Sequence, residues 1–500
     1  MKTLPETTRR TGSWAAAIVA CIVFPWFSHK PLYHSDLWAH LSYGRLICSN
    51  RALPATEPFM PLASDVPFVA TAWLSQVGGF QTFVAGGLHG LQVFYALLIA
   101  ASAALLSCVA FRRTQSVLWS FAASGVFLFV TWTQLQIIRP QLAGMLCFAA
   151  LLWLIDRVPL SRRRHAGIAV LFVLWANLHP SFPAGLILIA CYTAGRFLDL
   201  WYRTGKLLHG LRDSRTLSLV AAVAVASIAV LLNPYGLNVY LETLAVSSNP
   251  NLRSLLDWQS LRLTSTQGTR ATVAAAILIA LFWFTPRRRR ISELLPLLLA
   301  GAGMLLTSRM ISWCSPLAAL AIATHGNAIT RGNLKQLQPP SLGTNSQRVL
   351  LLTIITCALA FSTLPHAMNL VQRKPIQVVT STQTPIEAAA IAISTADGDL
   401  IFSPNTWGDY LTWISDGRAQ VFATSHAHLI PPDVWQDYMT ISRGQSGCLE
   451  VLSERNVTTV LIGHRRPALV KALMSSPDWT LVATTKRAKV FARRTEKGPQ

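Results

Sequence analysis

Two acids and a set of histidines and arginines stand out in a chain that is otherwise strongly apolar. His34, Asp36 and His40 share the run H-S-D-L-W-A-H, and Arg45 follows in G-R-L-I. Glu57 lies in L-P-A-T-E-P-F, Arg139 in R-P-Q-L, His179 in N-L-H, and Arg309 between two apolar runs. A carboxylate at a membrane surface loses part of its hydration, which raises its pKa and suits it to take a proton from a hydroxyl. Asp36 is the first candidate for such a base and Glu57 the second. The planar fork of arginine matches phosphate better than lysine does, so Arg45, Arg139 and Arg309 are candidate phosphate contacts. His40 and His179 are candidate polar contacts to substrate.

Each of these residues also has a plain structural reading. Asp36 would cap a helix starting near Leu37, and Glu57 would cap the turn at Pro58. An arginine at the end of a span would snorkel to the interface. His34, Asp36 and His40 would approach one another if Asp36 caps a helix carrying His40. Histidine at an interface is more often a hydrogen-bonding residue than a ligand, and no metal is assigned.

The elements that must position these residues follow from composition. The chain has 500 residues, 52% of them hydrophobic and only 13% charged. A soluble domain carries about 25% charge. Mean hydropathy is +0.41. This describes a mainly α, polytopic membrane bundle and excludes a disordered chain, a disulfide-stapled secreted scaffold and a cytosolic enzyme. The eight cysteines form no C-x-x-C pair; Cys48 and Cys448 are the two for which a bond stays open.

Eleven apolar stretches are expected to span: 13–29, 88–111, 117–133, 140–156, 166–180, 183–200, 217–233, 271–285, 292–307, 310–325 and 348–366. The first has basic residues before it and no small-residue cleavage site after it, so it reads as an uncleaved anchor. With the N-terminus inside, the inner segments carry 20 basic residues and the outer ones 8. That asymmetry sets orientation. It also accounts for the net charge of +22 without nucleic acid as a partner. Two long segments, 30–87 and 234–270, then lie outside, and loops of that length are usually functional. The candidate residues named above fall on that outer side. The expected organisation is a membrane domain over 1–370 and an extracytoplasmic α/β domain over 371–500.

From residue 371 the chain holds 14 basic and 11 acidic residues. Strand-like runs at Asp399–Ser403, Ala419–Thr424, Val457–Gly463, Thr480–Thr484 and Lys489–Ala492 alternate with helix-like ones at Pro385–Ala396, Pro432–Ser442 and Pro467–Ser475. The alternation predicts a small, partly parallel sheet. Trp407 and Asp409, in W-G-D-Y-L, read first as a core tryptophan beside a turn acid; the run also resembles, incompletely, the Trp-Trp-Asp-Tyr-Gly element by which oligosaccharyltransferases read the acceptor peptide. No Gly-rich phosphate loop is present, which argues against an ATP-driven pump.

The run D-L-W-A-H-L-x-x-G-R-x-I followed by L-P-A-T-E-P-F resembles the first outer loop of bacterial GT-C-type glycosyltransferases. These are multispanning enzymes related to lipopolysaccharide sugar transferases and protein mannosyltransferases. The similarity continues through R-P-Q-L, L-W-A-N-L-H, L-L-N-P-Y-G, D-W-Q-S and W-G-D-Y-L, and so covers most of the chain. The resemblance implies a polyprenyl-phosphate-type lipid carrying the sugar, an extracytoplasmic acceptor, and an acid on the first outer loop that acts at the acceptor or binds a metal. Asp36 matches that acid first and Glu57 second. Some relatives use a divalent cation and others do not, so no cofactor is assigned. One departure is Ala72, where related sequences often carry an acid before Trp-Leu-Ser.

Three classes of function compete. A glycosyltransferase needs the outer carboxylates and arginines. A non-catalytic membrane protein binding a partner or polysaccharide would lack reactive carboxylates, and Ala72 is a step in that direction. A transporter of lipid-linked saccharide would show ionisable groups at mid-membrane and paired, interrupted helices; the sequence shows neither.

Overall fold

The structure is a computed structural model and describes residues 6–32, 36–331, 352–361, 380–381 and 383–494. His34 therefore lies outside the described residues, and the expected span 348–366 is described only in part. The chain divides into two compact units. The first comprises Met1–Lys30, His89–Val239 and Leu256–Arg373. The second comprises Pro31–Leu88, Tyr240–Leu255 and Lys374–Gln500, so it gathers the tail with parts of both long loops.

In chain order the helices begin with α1 (Glu6–Ser28), α2 (Asp36–Asn50), α3 (Trp73–Thr114), α4 (Val117–Leu135) and α5 (Gln141–Ile155). α6 (Arg162–Leu178), α7 (Phe182–Thr204), the short α8 (Leu207–Arg212), α9 (Ser214–Val230) and α10 (Asn238–Ser248) follow. Next come α11 (Thr266–Phe284), α12 (Ile291–Leu306), α13 (Ile311–Thr330) and α14 (Leu352–Phe361). Among the described residues, five helices are long and apolar enough to cross a bilayer: α3, α4, α7, α11 and the Thr11–Ser28 part of α1. α5, α9, α12 and α14 are shorter apolar helices. The chain is a multi-pass membrane protein.

Local chemistry explains the boundaries. Asp213 caps α9 by accepting the Thr216 N–H at 2.9 Å and is held by Arg196 at 2.7 Å. Ser265 caps α11 through the Gly268 N–H at 3.0 Å. α3 turns sharply at Gly87 (φ 60°, ψ −152°), a conformation open to glycine and costly elsewhere, which separates a loop helix from the expected span.

Within the first unit α13 is buried from Ile311 to Gly326, and its alanines allow close approach to α4. Hydroxyls join neighbouring helices, as between Ser107 and Ser120 at 2.5 Å and between Thr131 and Ser315 at 3.3 Å. Outward, Ile22, Ile187, Ile228, Ile279 and Leu298 are half or more exposed. So much apolar surface suits hydrocarbon, not water.

The tail in the second unit alternates helix and strand: α15 (Ile386–Ala396), β1 (Leu400–Phe402), α16 (Asn405–Ile414), β2 (Gln420–Val421), α17 (Pro432–Arg443) and α18 (Cys448–Glu454). β3 (Val457–Gly463), α19 (Pro467–Ser475), β4 (Trp479–Thr484) and β5 (Ala488–Arg493) complete it. The sheet order is β2-β1-β3-β5-β4. β1 runs parallel to β2 and β3, while β5 is antiparallel to β3 and β4. Phe402, Val421, Phe422, Val460, Leu461 and Phe491 form its apolar core. Cys48 and Cys448 are free thiols.

Candidate functional site

In the second unit, α2 carries Asp36 as its first residue, one position before the start expected near Leu37, and His40 one turn later. Tyr43, a further turn along, is almost fully buried. Gly44 lets this helix meet the start of α3, since a Cβ there would lie 2.1 Å from the Gln76 carbonyl oxygen. Gln76 Nε2 in turn lies 3.3 Å from His40 Nδ1.

Glu57 is 2% exposed and firmly held. Tyr43 Oη donates to its Oε2 at 2.5 Å and the Phe59 N–H to its Oε1 at 2.9 Å. Burial raises its pKa, and these hydrogen bonds offset only part of that rise. The structure thus places the second candidate acid in a bonded, enclosed position, while Asp36 remains half-buried.

The tail adds two groups. Asp409 lies inside α16, where the sequence reading expected a turn, and is 0% exposed. The Ser425 N–H donates to its Oδ1 at 2.9 Å. Burial, with the charge of Asp36 next, pushes its carboxyl well above the usual range. His426 stacks edge-on to Tyr43 and His40, with ring centroids 4.9 and 5.4 Å apart. Its ring retains some solvent contact at the residue level, but Nδ1 is sealed off and has no hydrogen-bond partner among the described residues. Desolvation therefore lowers its pKa and keeps the imidazole neutral.

Trp38 packs against Tyr410 at 5.3 Å and Trp413 at 6.1 Å, which seats α2 on α16. Arg45 pairs with Asp416, donates to the Trp413 carbonyl at 2.9 Å and lies 4.4 Å from the Trp413 ring. Its guanidinium is thus engaged by the tail.

The first unit brings together three distant motif pieces. Buried Arg139 donates from Nη2 to Asp257 Oδ2 at 2.8 Å. Ser308 Oγ donates to the Asp257 carbonyl at 2.9 Å, and Arg309 lies 4.5 Å from the Trp258 ring. Gln141, two residues after Arg139, donates to Ser312 Oγ at 2.9 Å. R-P-Q, D-W-Q-S and the Arg309 segment therefore form one partly buried polar cluster. His179 Nδ1 accepts the Ser181 N–H at 3.1 Å, beside Gly144 of α5. Among the described residues no group of three or more His, Cys, Asp or Glu has the arrangement of a metal site.

Tyr43, Asp409 and His426 were not singled out as functional by sequence. The signal for Asp409 was an isolated acid among aromatics in a helix-length run; for His426 it was only the repeat S-H-A-H.

No family model matches the sequence, and no curated protein matches it either. Solved structures do. The oligosaccharyltransferase of Archaeoglobus fulgidus, tethered to an acceptor peptide containing the NVT sequon, superposes with a TM-score of 0.56 at 12% identity, over 92% of this chain and 69% of that one. ArnT from Cupriavidus metallidurans, bound to undecaprenyl phosphate, gives 0.50 at 12% identity over 99% and 100%. The mycobacterial arabinofuranosyltransferase AftD gives 0.54 at 16% identity over 98% of this chain and 40% of that one. The chain has the fold of the GT-C membrane glycosyltransferases.

Proposed function

We propose that this protein is a membrane glycosyltransferase moving a sugar from a polyprenyl-phosphate-type lipid to an extracytoplasmic acceptor that is a lipid, a glycan or a protein. The observation supporting this most is Asp36 at the start of α2, set among Glu57, Asp409, His40 and His426 on a GT-C fold. Asp36 takes the proton of the acceptor hydroxyl while that oxygen attacks the anomeric carbon. The bond from the sugar to the lipid phosphate breaks with inversion, and the phosphate leaves with the bonding pair. Arg139 and Arg309 hold the phosphate, as charge-assisted forks do. His40 and His179 supply polar contacts to substrate. Glu57, fixed by Tyr43, is the second candidate for that base. Arg45 ties α2 to the tail and is the weakest of the three phosphate candidates. A divalent cation is left unassigned.

The undecaprenyl phosphate in the ArnT structure supports a lipid-linked donor, and the acceptor peptide of the archaeal enzyme supports an external acceptor. The reading includes eleven spans, a membrane domain over 1–370, an extracytoplasmic domain over 371–500, and a bacterial inner membrane with the N-terminus cytoplasmic. The basic clusters of the N-terminus and the even-numbered connections support that orientation. Transfer of labelled sugar in membranes tests it. Asp36→Asn is expected to abolish transfer while the protein still inserts; wild-type transfer by that variant removes Asp36 from the reaction. A compartment reporter fused after Gln500 is expected to report the outer side.

A further inference from the structure

Asp409 has no part in the reaction just described, yet it is completely enclosed. Gly408 holds it in place, because α16 passes so close to the next segment that a Cβ at 408 would lie 2.0 Å from the Ala423 carbonyl oxygen. Only its Oδ1 is satisfied, by the Ser425 N–H; Oδ2 is sealed from solvent and has no hydrogen-bond partner among the described residues. Among the described residues, the titratable groups around it are Asp36 and Tyr43 from α2, Glu57 from the first long loop and Tyr438 from α17, with His426 and, against its ring, His40 beyond Ser425. None of these is a lysine or arginine. Arg45, the basic residue of α2, is turned to Asp416, and the acid of α15, Glu387, is exposed.

Neighbouring acids do not all ionise, and they titrate as a group. Geometry decides which one keeps the proton. Asp36 opens a helix, where the dipole and free N–H groups favour an anion, and it retains solvent contact. Asp409 has neither advantage, and an enclosed charge supported by Ser425 alone, with one oxygen unsatisfied, is costly. We propose that the tail completes the site by holding a proton: Asp409 is a neutral carboxyl at neutral pH and a positioning residue that leaves Asp36 as the anion of the pair. This rests on the role of Asp36 proposed above. Burial and the neighbouring negative charge both act in that direction. The acceptor's proton goes to Asp36 and from there to solvent; the proton on Asp409 is not transferred. When Asp409 ionises at high pH, a second negative charge appears beside the base, and transfer falls.

Infrared difference spectra of the full-length protein in lipid nanodiscs test the protonation state without any need for activity. Subtracting Asp409→Asn from wild type at neutral pH is expected to show loss of one protonated-carboxyl C=O band. Loss of a carboxylate band instead overturns the proposal. Asparagine keeps the Oδ1 acceptor for Ser425, and Asp36→Asn gives a second route should Asp409→Asn fold poorly. In Asp36→Asn the Asp409 band is expected to persist and to titrate at lower pH; an unmoved midpoint overturns the pairing. In transfer assays the alkaline limb, about tenfold per pH unit for a single ionisation, is expected to be lost in Asp409→Asn, and an unchanged limb counts against the proposal. Should Asp36→Asn prove active while the infrared result holds, the role of Asp36 as base fails and the proton on Asp409 stands.

Discussion

Asn251 donates from one amide nitrogen to two carbonyls of the tail, Ala427 at 2.9 Å and Ile430 at 2.8 Å. Asn249 adds a bond to the His428 carbonyl at 3.2 Å, and Trp435 Nε1 donates back to Ser254 Oγ at 3.2 Å. The second long loop therefore holds both ends of the segment on which His426 stands. Asn251→Ala leaves two carbonyls without their donor, a loss of about 1–3 kcal/mol. Amide exchange over residues 425–430 is expected to accelerate correspondingly, with the sheet strands unaffected. Unchanged protection there would show that the loop does not restrain the segment.

Glu57 provides a pH prediction. Its folded pKa lies above the unfolded value of about 4.3. The folded chain therefore keeps a proton that the unfolded chain has released, and the contribution favours folding only at acid pH. Stability is lost as pH rises from the unfolded value through the folded one. Thermal unfolding followed across that range is expected to show a shallower decline in Glu57→Gln. A steeper decline would mean that Glu57 is a stabilised carboxylate.

Tyr43→Phe removes the 2.5 Å donor to Glu57 and should raise the Glu57 pKa further, because that bond favours the charged form. The cost is about 1–3 kcal/mol at neutral pH and shrinks at acid pH, where Glu57 is neutral. Unfolding of Tyr43→Phe and Glu57→Gln, singly and together, measures the coupling.

Arg139 and Asp257 form the central ion pair of the first unit's cluster, with Arg139 much the more buried. Arg139→Lys keeps the charge and loses the fork, so transfer is expected to drop tenfold or more, on the order of one bidentate contact. A double-mutant cycle of Arg139→Ala with Asp257→Ala should give a coupling of about 0.5–3 kcal/mol in stability. A coupling near zero would make the pair incidental.

Gly408→Ala drives a methyl group into the Ala423 carbonyl, and overpacking of this kind costs about 1–3 kcal/mol. Gly78→Ala, with open space around its Cβ in α3, serves as control and is expected to be neutral or to stabilise by up to about 1 kcal/mol. Protease resistance of the tail distinguishes them; equal resistance would place Ala423 elsewhere.

Hydrophobic runs, basic clusters and alternating helix and strand signals are local properties, and local properties were legible. The five strands of the tail fall where short β-rich runs stand, and a helix lies at each apolar stretch expected to span. A helix starting at this point of the chain was legible too, because the residues of its first turn are adjacent in sequence. The sequence also marked R-P-Q and D-W-Q-S separately. Only tertiary structure decided that Arg139 meets Asp257, that Arg45 is engaged by Trp413 and Asp416, and that Asp409 stands near Asp36. Such contacts join residues more than a hundred positions apart, and no periodicity encodes which of many aromatic or acidic side chains will meet. Burial is the other thing the chain alone did not reveal. Whether Asp409 is a turn acid in water or an enclosed carboxyl depends on what packs over it, and that covering is contributed by α2 and the 425–428 segment, elements far from it in sequence or folded back upon it.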